Sequence, residues 1–233
     1  MGRVFYAGGK VGMEVPVGGI ALADLAEGSV VYLNESENPV EFYVACHNYE
    51  SGLNGAGRTL VVRKNVYSKQ VWNSAYSIYR YADSTVDTWL NEYYLGLFSE
   101  EVQNIIGTTT FYCVSSSTNS YASSTTDSLS RPCFLLSTVE LCGGSNKFKE
   151  GSAISTNALL RDTQYNGSFV NLWTRTIYST DTSGSPSAAM CVTNINGGYG
   201  STYVTSPLGV QPAFTLPSTA LFDPNTLILK GVS

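Results

Sequence analysis

The candidate binding chemistry of this chain is concentrated between Thr163 and Ser206. This stretch holds seven Ser, eight Thr, four Asn and four Tyr in 44 residues, with only two charged residues, Arg175 and Asp181. Apolar residues recur between the polar ones, which a disordered Ser/Thr tract would lack. Tyr supplies rigid amphipathic contact area, while Ser and Asn supply adaptable hydrogen bonds. The stretch therefore indicates a recognition surface. The alternative is a β-rich domain with ordinary polar loops, because Ser, Thr and Tyr also suit exposed strands.

Strand alternation divides this stretch between a core and a binding face. Leu172, Trp173, Val192 and Phe214 are expected to point into the core. Leu172 and Trp173 are consecutive and point to opposite faces of a strand, so we expect coverage on both faces or a bulge there. The predicted ligand-binding residues, which are polar or aromatic and are expected on one exposed face, are Asn171, Thr174, Thr176, Tyr178, Ser179, Thr180, Asn194, Asn196, Tyr199, Thr202, Tyr203 and Thr205.

Residues suited to covalent catalysis are few in the sequence. The single histidine, His47, follows Cys46 in an apolar strand pattern. Neighbours on a strand point to opposite faces, so these two cannot form a nucleophile–base pair. Five cysteines without a C-x-x-C spacing indicate neither a zinc site nor a disulfide framework. We therefore predict a structural histidine and a protein that is not an enzyme, with no cofactor and no metal.

One buried ion pair is predicted. Arg175 lies in an otherwise apolar strand beside Trp173, and a guanidinium there must be paired and hydrogen-bonded. Glu140, in the apolar run from Phe134 to Leu141, is the expected partner, with Asp162 as the second candidate. The pair is expected to fix the register of the recognition loops, and the alternative is direct contact of Arg175 with the ligand.

Composition limits the classes of partner. A 233-residue chain that is 43% hydrophobic can bury a core, and charged residues make up only 13%. The net charge of −5, without a Lys/Arg cluster, argues against nucleic acid or an anionic membrane as a partner. No segment approaches the ~20 apolar residues that span a bilayer, so no membrane insertion is expected. The N-terminus lacks a convincing secretion signal. We expect synthesis in the cytoplasm and display on a virion or a cell surface.

The pattern of elements predicts an α+β domain. Residues 1–23 are expected to form a Gly-rich β arm for oligomerisation or anchoring, residues 24–220 the ligand-binding domain, and residues 221–233 a tail. Two helices are predicted, one after the N-cap Ser84 with Trp89 buried, and one from Ser99 to Gly107. Residues 115–130 are expected to form a long loop. The predicted strands are Ser29–Leu33, Val40–His47, Thr59–Val66, Thr109–Val114, Cys133–Leu141, Asn171–Thr176, Ala188–Thr193 and Val210–Leu216.

Several of these motifs resemble a domain family of gut-bacterial phages and their hosts. The resemblance covers residues 25–217 and rests on Arg63-Lys64, Trp72-Asn73, the segment STVDTWLNEYYLGLF from Ser84, Phe134 to Glu140, Leu172 to Thr176, and the segment GVQPAF from Gly209. The family pattern is W-L-R-S … G-V-R-P-A. In this chain Thr176 stands where the pattern has Ser, and Gln211 stands where it has the second Arg. The Gln211 replacement removes an ion pair that the family pattern implies.

That family in turn resembles the C-type-lectin fold of formylglycine-generating enzymes and of the variable proteins of diversity-generating retroelements. The resemblance implies a C-type-lectin-like domain with two helices, short antiparallel strands and long loops. It also implies that residues 163–206 are a variable region, since such elements turn Asn codons into Asn, Tyr, Ser, Thr and Asp. The oxidase activity is not carried over, because Cys191 alone does not reproduce the paired cysteines.

The functional hypothesis is non-enzymatic ligand or receptor binding, by a phage fibre or a retroelement-diversified protein. The expected ligand is a protein or a glycan on a bacterial cell surface, and the expected assembly is a homo-oligomer, with a trimer favoured. The first alternative is a structural virion decoration protein without a variable site. The second is a cysteine-dependent oxidase, which needs Cys191 exposed near another thiol.

Overall fold

The protein is described by a computed structural model, which defines residues 5–7, 10–12, 18–76, 80–116, 125–143, 150–179, 188–193 and 195–232. The fold mixes helix and sheet, as an α+β class requires. Within these ranges no helix has both the length and the apolar character needed to cross a bilayer.

An antiparallel four-stranded sheet forms one side of the core. Its strands, in spatial order β16, β6, β5 and β4, carry alternating and continuous apolar runs such as Val31, Phe42 and Phe214, all fully buried. Three of them were anticipated to within a few residues. The bounds are β4 (Val30–Glu35), β5 (Asn38–Cys46), β6 (Arg58–Arg63) and β16 (Ala213–Pro217).

A five-stranded sheet carries the predicted recognition stretch. Its order is β14, β13, β12, β15 and β7, and every pairing is antiparallel except that of β12 with β15. The strand predicted over Val210–Leu216 is two strands, β15 and β16, separated at Gln211 and Pro212. The buried Gln211 side chain donates from Nε2 to the carbonyl of Arg63 at 3.0 Å. The bounds are β7 (Ser68–Val71), β12 (Leu172–Ser179), β13 (Ala188–Val192), β14 (Tyr199–Tyr203) and β15 (Pro207–Val210).

The expected C-terminal tail pairs with the expected N-terminal arm in a three-stranded sheet. Leu221 and Phe222 lie opposite Ala21 and Ile20. Phe222 is fully buried, so the segments Ile20–Ala21 and Ala220–Phe222 belong to the folded body. The sheet consists of β3 (Ile20–Ala21), β17 (Ala220–Phe222) and β18 (Leu229–Val232).

The remaining strands of the described residues form three two-stranded hairpins. The first, β1 (Phe5–Ala7) with β2 (Lys10–Gly12), lies in the predicted arm. The second contradicts the prediction of a loop at residues 115–116 and 125–130, because residues 125–131 form a strand against residues 109–116. The rest of the predicted loop, residues 117–124, lies outside the described residues. The bounds of this second hairpin are β8 (Thr109–Ser116) and β9 (Thr125–Arg131), and the third hairpin joins β10 (Gln164–Tyr165) to β11 (Ser168–Phe169).

Both predicted helices are confirmed, with their caps. The Ser84 side chain accepts from the amide of Asp87, and Ser99 accepts from Val102. The first helix continues into a π-helical turn over Leu90–Tyr94. Three more short α-helices among the described residues were not predicted. The helices are α1 (Ser51–Asn54), α2 (Thr85–Trp89), α3 (Glu100–Ile106), α4 (Thr138–Cys142) and α5 (Asn157–Arg161).

The strand predicted over Cys133–Leu141 is wrong. Only Phe134 makes a bridge, to Ala213, and the chain then turns into α4. The reason is a capping box: Ser137 accepts from the amide of Glu140, while the Glu140 carboxylate accepts from the amide of Ser137. This reciprocal capping closes a helical turn that a strand cannot make.

The two tryptophans that were predicted to be buried differ in their exposure to solvent. Trp173 is fully buried and donates from Nε1 to the carbonyl of Gln70 at 2.9 Å. Trp89 is only partly buried, because it lies in the last turn of α2 between the rings of Tyr67 and the exposed Tyr93.

Candidate ligand-binding surface

The β14 strand presents a row of exposed side chains. Tyr199, Ser201 and Tyr203 are exposed, and they alternate with the half-buried Gly200 and Thr202. Period-two alternation places the first three on one face. Tyr199 and Tyr203 keep 44% and 56% of their surface exposed, which is unusual for aromatic side chains beside a well-packed sheet.

A buried apolar strand supports this row. In β13, Ala189, Cys191 and Val192 are all buried, and β13 pairs with β14 along the whole length of that strand. Val192 lies opposite Tyr199, and Ala188 lies opposite Tyr203. The exposed tyrosines therefore stand on a rigid frame and not on a mobile loop.

The β13–β14 turn is fixed by Arg161. Its Nε donates to the carbonyl of Ile195 at 3.2 Å, and its Nη1 donates to Asn157 Oδ1 at 2.9 Å and to the carbonyl of Leu141. Gly197 has φ +85°, and a Cβ there would lie 3.3 Å from Arg161 Cζ. Because Arg161 ends α5 and also binds the last turn of α4, the turn is held to two helices.

The predicted ion pair beneath the β12 strand is confirmed. Arg175 donates from Nη1 to Glu140 Oε2 at 2.6 Å and from Nη2 to Oε1 at 2.9 Å, and both side chains are fully buried. The Tyr49 hydroxyl donates to Glu140 Oε1 at 2.6 Å. Burial, together with the adjacent Glu140 carboxylate, raises the pKa of Tyr49, so this hydroxyl stays a donor. The bidentate geometry fixes β12 against α4.

The predicted core residues and the predicted irregularity are also confirmed. Leu172, Trp173, Val192 and Phe214 are buried, and β12 changes register against β13 on either side of Ile177. The strand has buried residues on both faces, as two consecutive apolar residues require.

The prediction that Thr174 and Thr176 are exposed is wrong. Both are fully buried, because α4 covers that face of β12. Thr138 Oγ1 lies 3.0 Å from Thr174 Oγ1, and the amide of Thr138 donates to Thr176 Oγ1 at 3.0 Å. These two threonines bind a helix of the same chain.

The remaining predicted binding residues are accessible to different degrees. Asn171, Asn196, Tyr199 and Tyr203 are exposed, while Tyr178, Thr202 and Thr205 are half-buried. The side chain of Ser179, and Thr180 and Asn194 altogether, lie outside the described residues. Sequence reasoning missed Ser201 and Ile195, both exposed. Strand alternation from Tyr199 would have found Ser201, whereas Ile195 stands out only as an apolar residue in a turn.

The single histidine and the five cysteines all lie within the described residues. The His47 ring makes two contacts within the fold: its Nε2 lies 2.9 Å from the carbonyl oxygen of Leu25, and its Nδ1 lies 2.9 Å from Thr59 Oγ1. All five cysteines are free thiols. Cys191 is buried, and burial raises its pKa, which keeps the thiol protonated. Within the described part of the chain no three His, Cys, Asp or Glu side chains cluster as metal ligands.

Comparison with known proteins identifies one similarity. Neither the curated proteins nor the solved structures contain a match. Residues 56–218, which include all strands of the five-stranded sheet, match the model of a domain of unknown function, DUF6273, and the chain therefore belongs to the DUF6273 family.

Proposed function

We propose that this protein is a non-enzymatic ligand-binding protein that captures a protein or a glycan on a bacterial cell surface. The observation that carries the proposal is the row Tyr199, Ser201 and Tyr203, exposed on a strand whose neighbour is buried. Two tyrosines four residues apart on one strand face are separated by roughly 13 Å, a span suited to an extended ligand.

Exposed tyrosines on a fixed frame favour binding over a purely structural role. A tyrosine ring gains much of its interaction energy when a partner covers it, and its hydroxyl can still hydrogen-bond at the rim. Such residues are frequent among those that dominate binding energy. The Arg161 contacts to Ile195 and the Arg175–Glu140 pair hold the frame, so little ordering entropy is lost on binding.

A C-type-lectin-like scaffold of the retroelement variable type is part of the proposal. Most of the exposed described positions in the stretch from Thr163 to Ser206 are Asn, Ser, Thr or Tyr, and the others are Gln164, Gly167 and Ile195. Leu172, Trp173, Ile177, Val192 and Arg175 are buried. Diversification of the first group would leave the second unchanged. We further propose display on a virion, as in a phage fibre, or on a cell surface, in a homotrimer.

The binding test uses a double variant, Tyr199→Ser with Tyr203→Ser, and a matched control, Tyr76→Ser, which removes a 63% exposed tyrosine elsewhere. Labelled protein is incubated with a panel of gut-bacterial cells and with a glycan array. The double variant should lose at least about tenfold in affinity, while Tyr76→Ser should bind as the wild type does. Both variants should keep their Tm within a few degrees, since exposed substitutions cost little stability.

Two outcomes would contradict the proposal. Unfolding of the double variant would make these tyrosines core residues, and unchanged capture would place the binding surface elsewhere. The variable-protein part is tested separately at the genomic locus, where we expect a reverse transcriptase gene and a near-copy template repeat with adenine-rich codons at the accessible positions. A locus without both would refute diversification and leave the binding proposal standing.

A further inference from the structure

A separate cavity lies beside Asn171, the residue before β12. It has a volume of about 290 Å³ and lies where β7, β15 and β12 meet. In the sheet, Gly209 lies opposite both Lys69 and Leu172, and its amide donates to the carbonyl of Asn171 at 2.9 Å. The lining residues are Lys69, Phe169, Val170, Asn171, Pro207, Leu208 and Gly209.

The charge of the cavity is opposite to that of the molecule. The protein carries a net charge of −5, yet no carboxylate lines this cavity. Lys69 forms no ion pair with any described residue; its ammonium lies 5.7 Å from the centre of the Tyr165 ring. A cation over an aromatic face is held in place without being neutralised. The ammonium thus remains available to an anion.

The other walls supply an apolar contact and an amide. Phe169, Val170 and Leu208 are half-buried and line the cavity. A Cβ on Gly209 would lie 2.8 Å from Val170 Cγ2 and 3.0 Å from Val66 Cγ2, so glycine is what lets Val170 close the inner wall. The exposed Asn171 side chain makes no hydrogen bond to a described residue, and its amide offers both a donor and an acceptor.

We propose that this cavity is a subsite for an acidic sugar, with Lys69 binding the carboxylate, Asn171 binding a pair of ring hydroxyls and Phe169 contacting the apolar side of the ring. The inference rests on the proposed ligand-binding function and names the chemical class of one ligand unit. An acidic glycan fits better than an acidic peptide. The cavity combines one cation with an amide and an aromatic wall, whereas a run of carboxylates would call for several cations.

The test measures binding of sodium glucuronate and of neutral glucose by ¹H–¹⁵N NMR titration. Lys69→Gln removes the charge and keeps most of the length, Asn171→Ala removes the amide, and Lys230→Gln serves as the control, since Lys230 is also an exposed strand lysine. The wild type should bind glucuronate at least about tenfold more tightly than glucose. Lys69→Gln should abolish that preference, Asn171→Ala should weaken both sugars, and Lys230→Gln should change neither. Higher salt should weaken only the glucuronate interaction.

Several results would overturn the inference: equal affinity for the two sugars, a Lys69→Gln variant that keeps the preference, or sodium acetate binding as tightly as glucuronate. A glutamate-rich peptide that binds more tightly than glucuronate in a Lys69-dependent way would assign the cavity to a protein ligand instead. Cell capture separates the two proposals. Capture that depends on Tyr199 and Tyr203 while glucuronate fails to bind refutes the subsite alone, and capture that depends on neither tyrosine refutes the proposed surface.

Discussion

Arg175 brings a full positive charge into the core, where it is surrounded by acceptors. Besides Glu140, it donates from Nε to the carbonyl of Tyr112 at 2.8 Å and lies 4.8 Å from the centre of the Phe111 ring. A buried guanidinium is tolerated only when most of its donors are paired. The residue joins a strand, a hairpin and a helix, so its removal affects all three.

Replacing Arg175 with Met should destabilise the fold by about 3–5 kcal/mol, because Glu140 is left buried without its cation. The double variant Arg175→Met with Glu140→Gln should recover part of that loss, since residue 140 then no longer carries a buried charge. Urea denaturation measures both. The control is Arg80→Met, which breaks an exposed pair with Asp83 and should leave the urea midpoint unchanged. A single variant as stable as the control would contradict the role assigned to the pair.

Asp87 provides a prediction on pH. Its carboxylate accepts from Arg131 Nε at 2.8 Å, but burial outweighs this contact and raises the Asp87 pKa to about 6. The folded state therefore binds a proton more tightly than the unfolded state, whose Asp pKa is about 3.9. The sign follows: the charged carboxylate costs stability above pH 6, and this cost disappears as the pH falls from 6 towards 4.

The free energy of unfolding of the wild type, relative to Asp87→Asn, should accordingly be higher at pH 5 than at pH 7. The upper bound is about 3 kcal/mol for two pKa units, reached only over the full titration. Denaturation of both proteins at the two pH values provides the measurement. If the wild type instead gained relative stability with rising pH, the carboxylate would have a lowered pKa and the ion pair would dominate over burial.

At the scale of elements, the β13–β14 turn shows how a helix can position the proposed binding surface. The amide of Thr193 donates to the carbonyl of Gly198 at 2.8 Å and closes the turn, while Arg161 holds its outer side. Glycine is favoured at position 197 for two reasons. Its φ is positive, and a side chain there would come close to Arg161.

Gly197→Ala should therefore destabilise more than Gly167→Ala. Both glycines have similar positive φ values, +85° and +78°, but nothing lies within 4 Å of a Cβ on Gly167. The backbone strain of about 1 kcal/mol is common to the two variants, so their difference reports the contact with Arg161. Hydrogen exchange should show faster exchange of the Thr193 amide in Gly197→Ala only. Equal effects of the two substitutions would mean that Arg161 does not hold the turn.

Local signals predicted some elements and failed at others for identifiable reasons. The caps at Ser84 and Ser99 are local chemistry, and both helices follow from them. The Arg175–Glu140 pair was predictable because a charge in an apolar strand needs a counter-charge. The capping box from Ser137 to Glu140 was also present in the sequence, but the apolar run around it favoured a strand. Because α4 was missed, Thr174 and Thr176 were assigned to the solvent face that α4 covers.

At the scale of the whole molecule, a segment of the expected arm pairs with a segment of the expected tail. Pairing of Ile20 with Phe222 joins residues about 200 apart, and no periodicity in either segment specifies the other. Such distant pairings depend on the completed core and are inaccessible to local pattern reasoning. The folded body therefore includes residues that sequence analysis assigned to the arm and to the tail.

The hairpin formed by β1 and β2, unlike the Ile20–Ala21 strand, does not pair with another strand of the described residues. Within the described residues, β1 and β2 form a sheet of two strands only, separate from the other sheets. An isolated two-stranded hairpin is marginally stable in water, and its open edges favour pairing with another chain. This is the physical basis for expecting the arm to contribute to a subunit interface.

Deleting residues 1–17 should convert the proposed homotrimer into a monomer and leave the Tm of the domain nearly unchanged, because the Ile20–Ala21 strand and its partner Phe222 are retained. Light scattering at micromolar concentration measures the mass, and calorimetry measures the Tm. Val11→Pro is a second variant, since proline removes an N–H and fixes φ in β2, and it should weaken the assembly without shortening the chain. A full-length monomer, or a trimer that persists after the deletion, would show that the arm has another role.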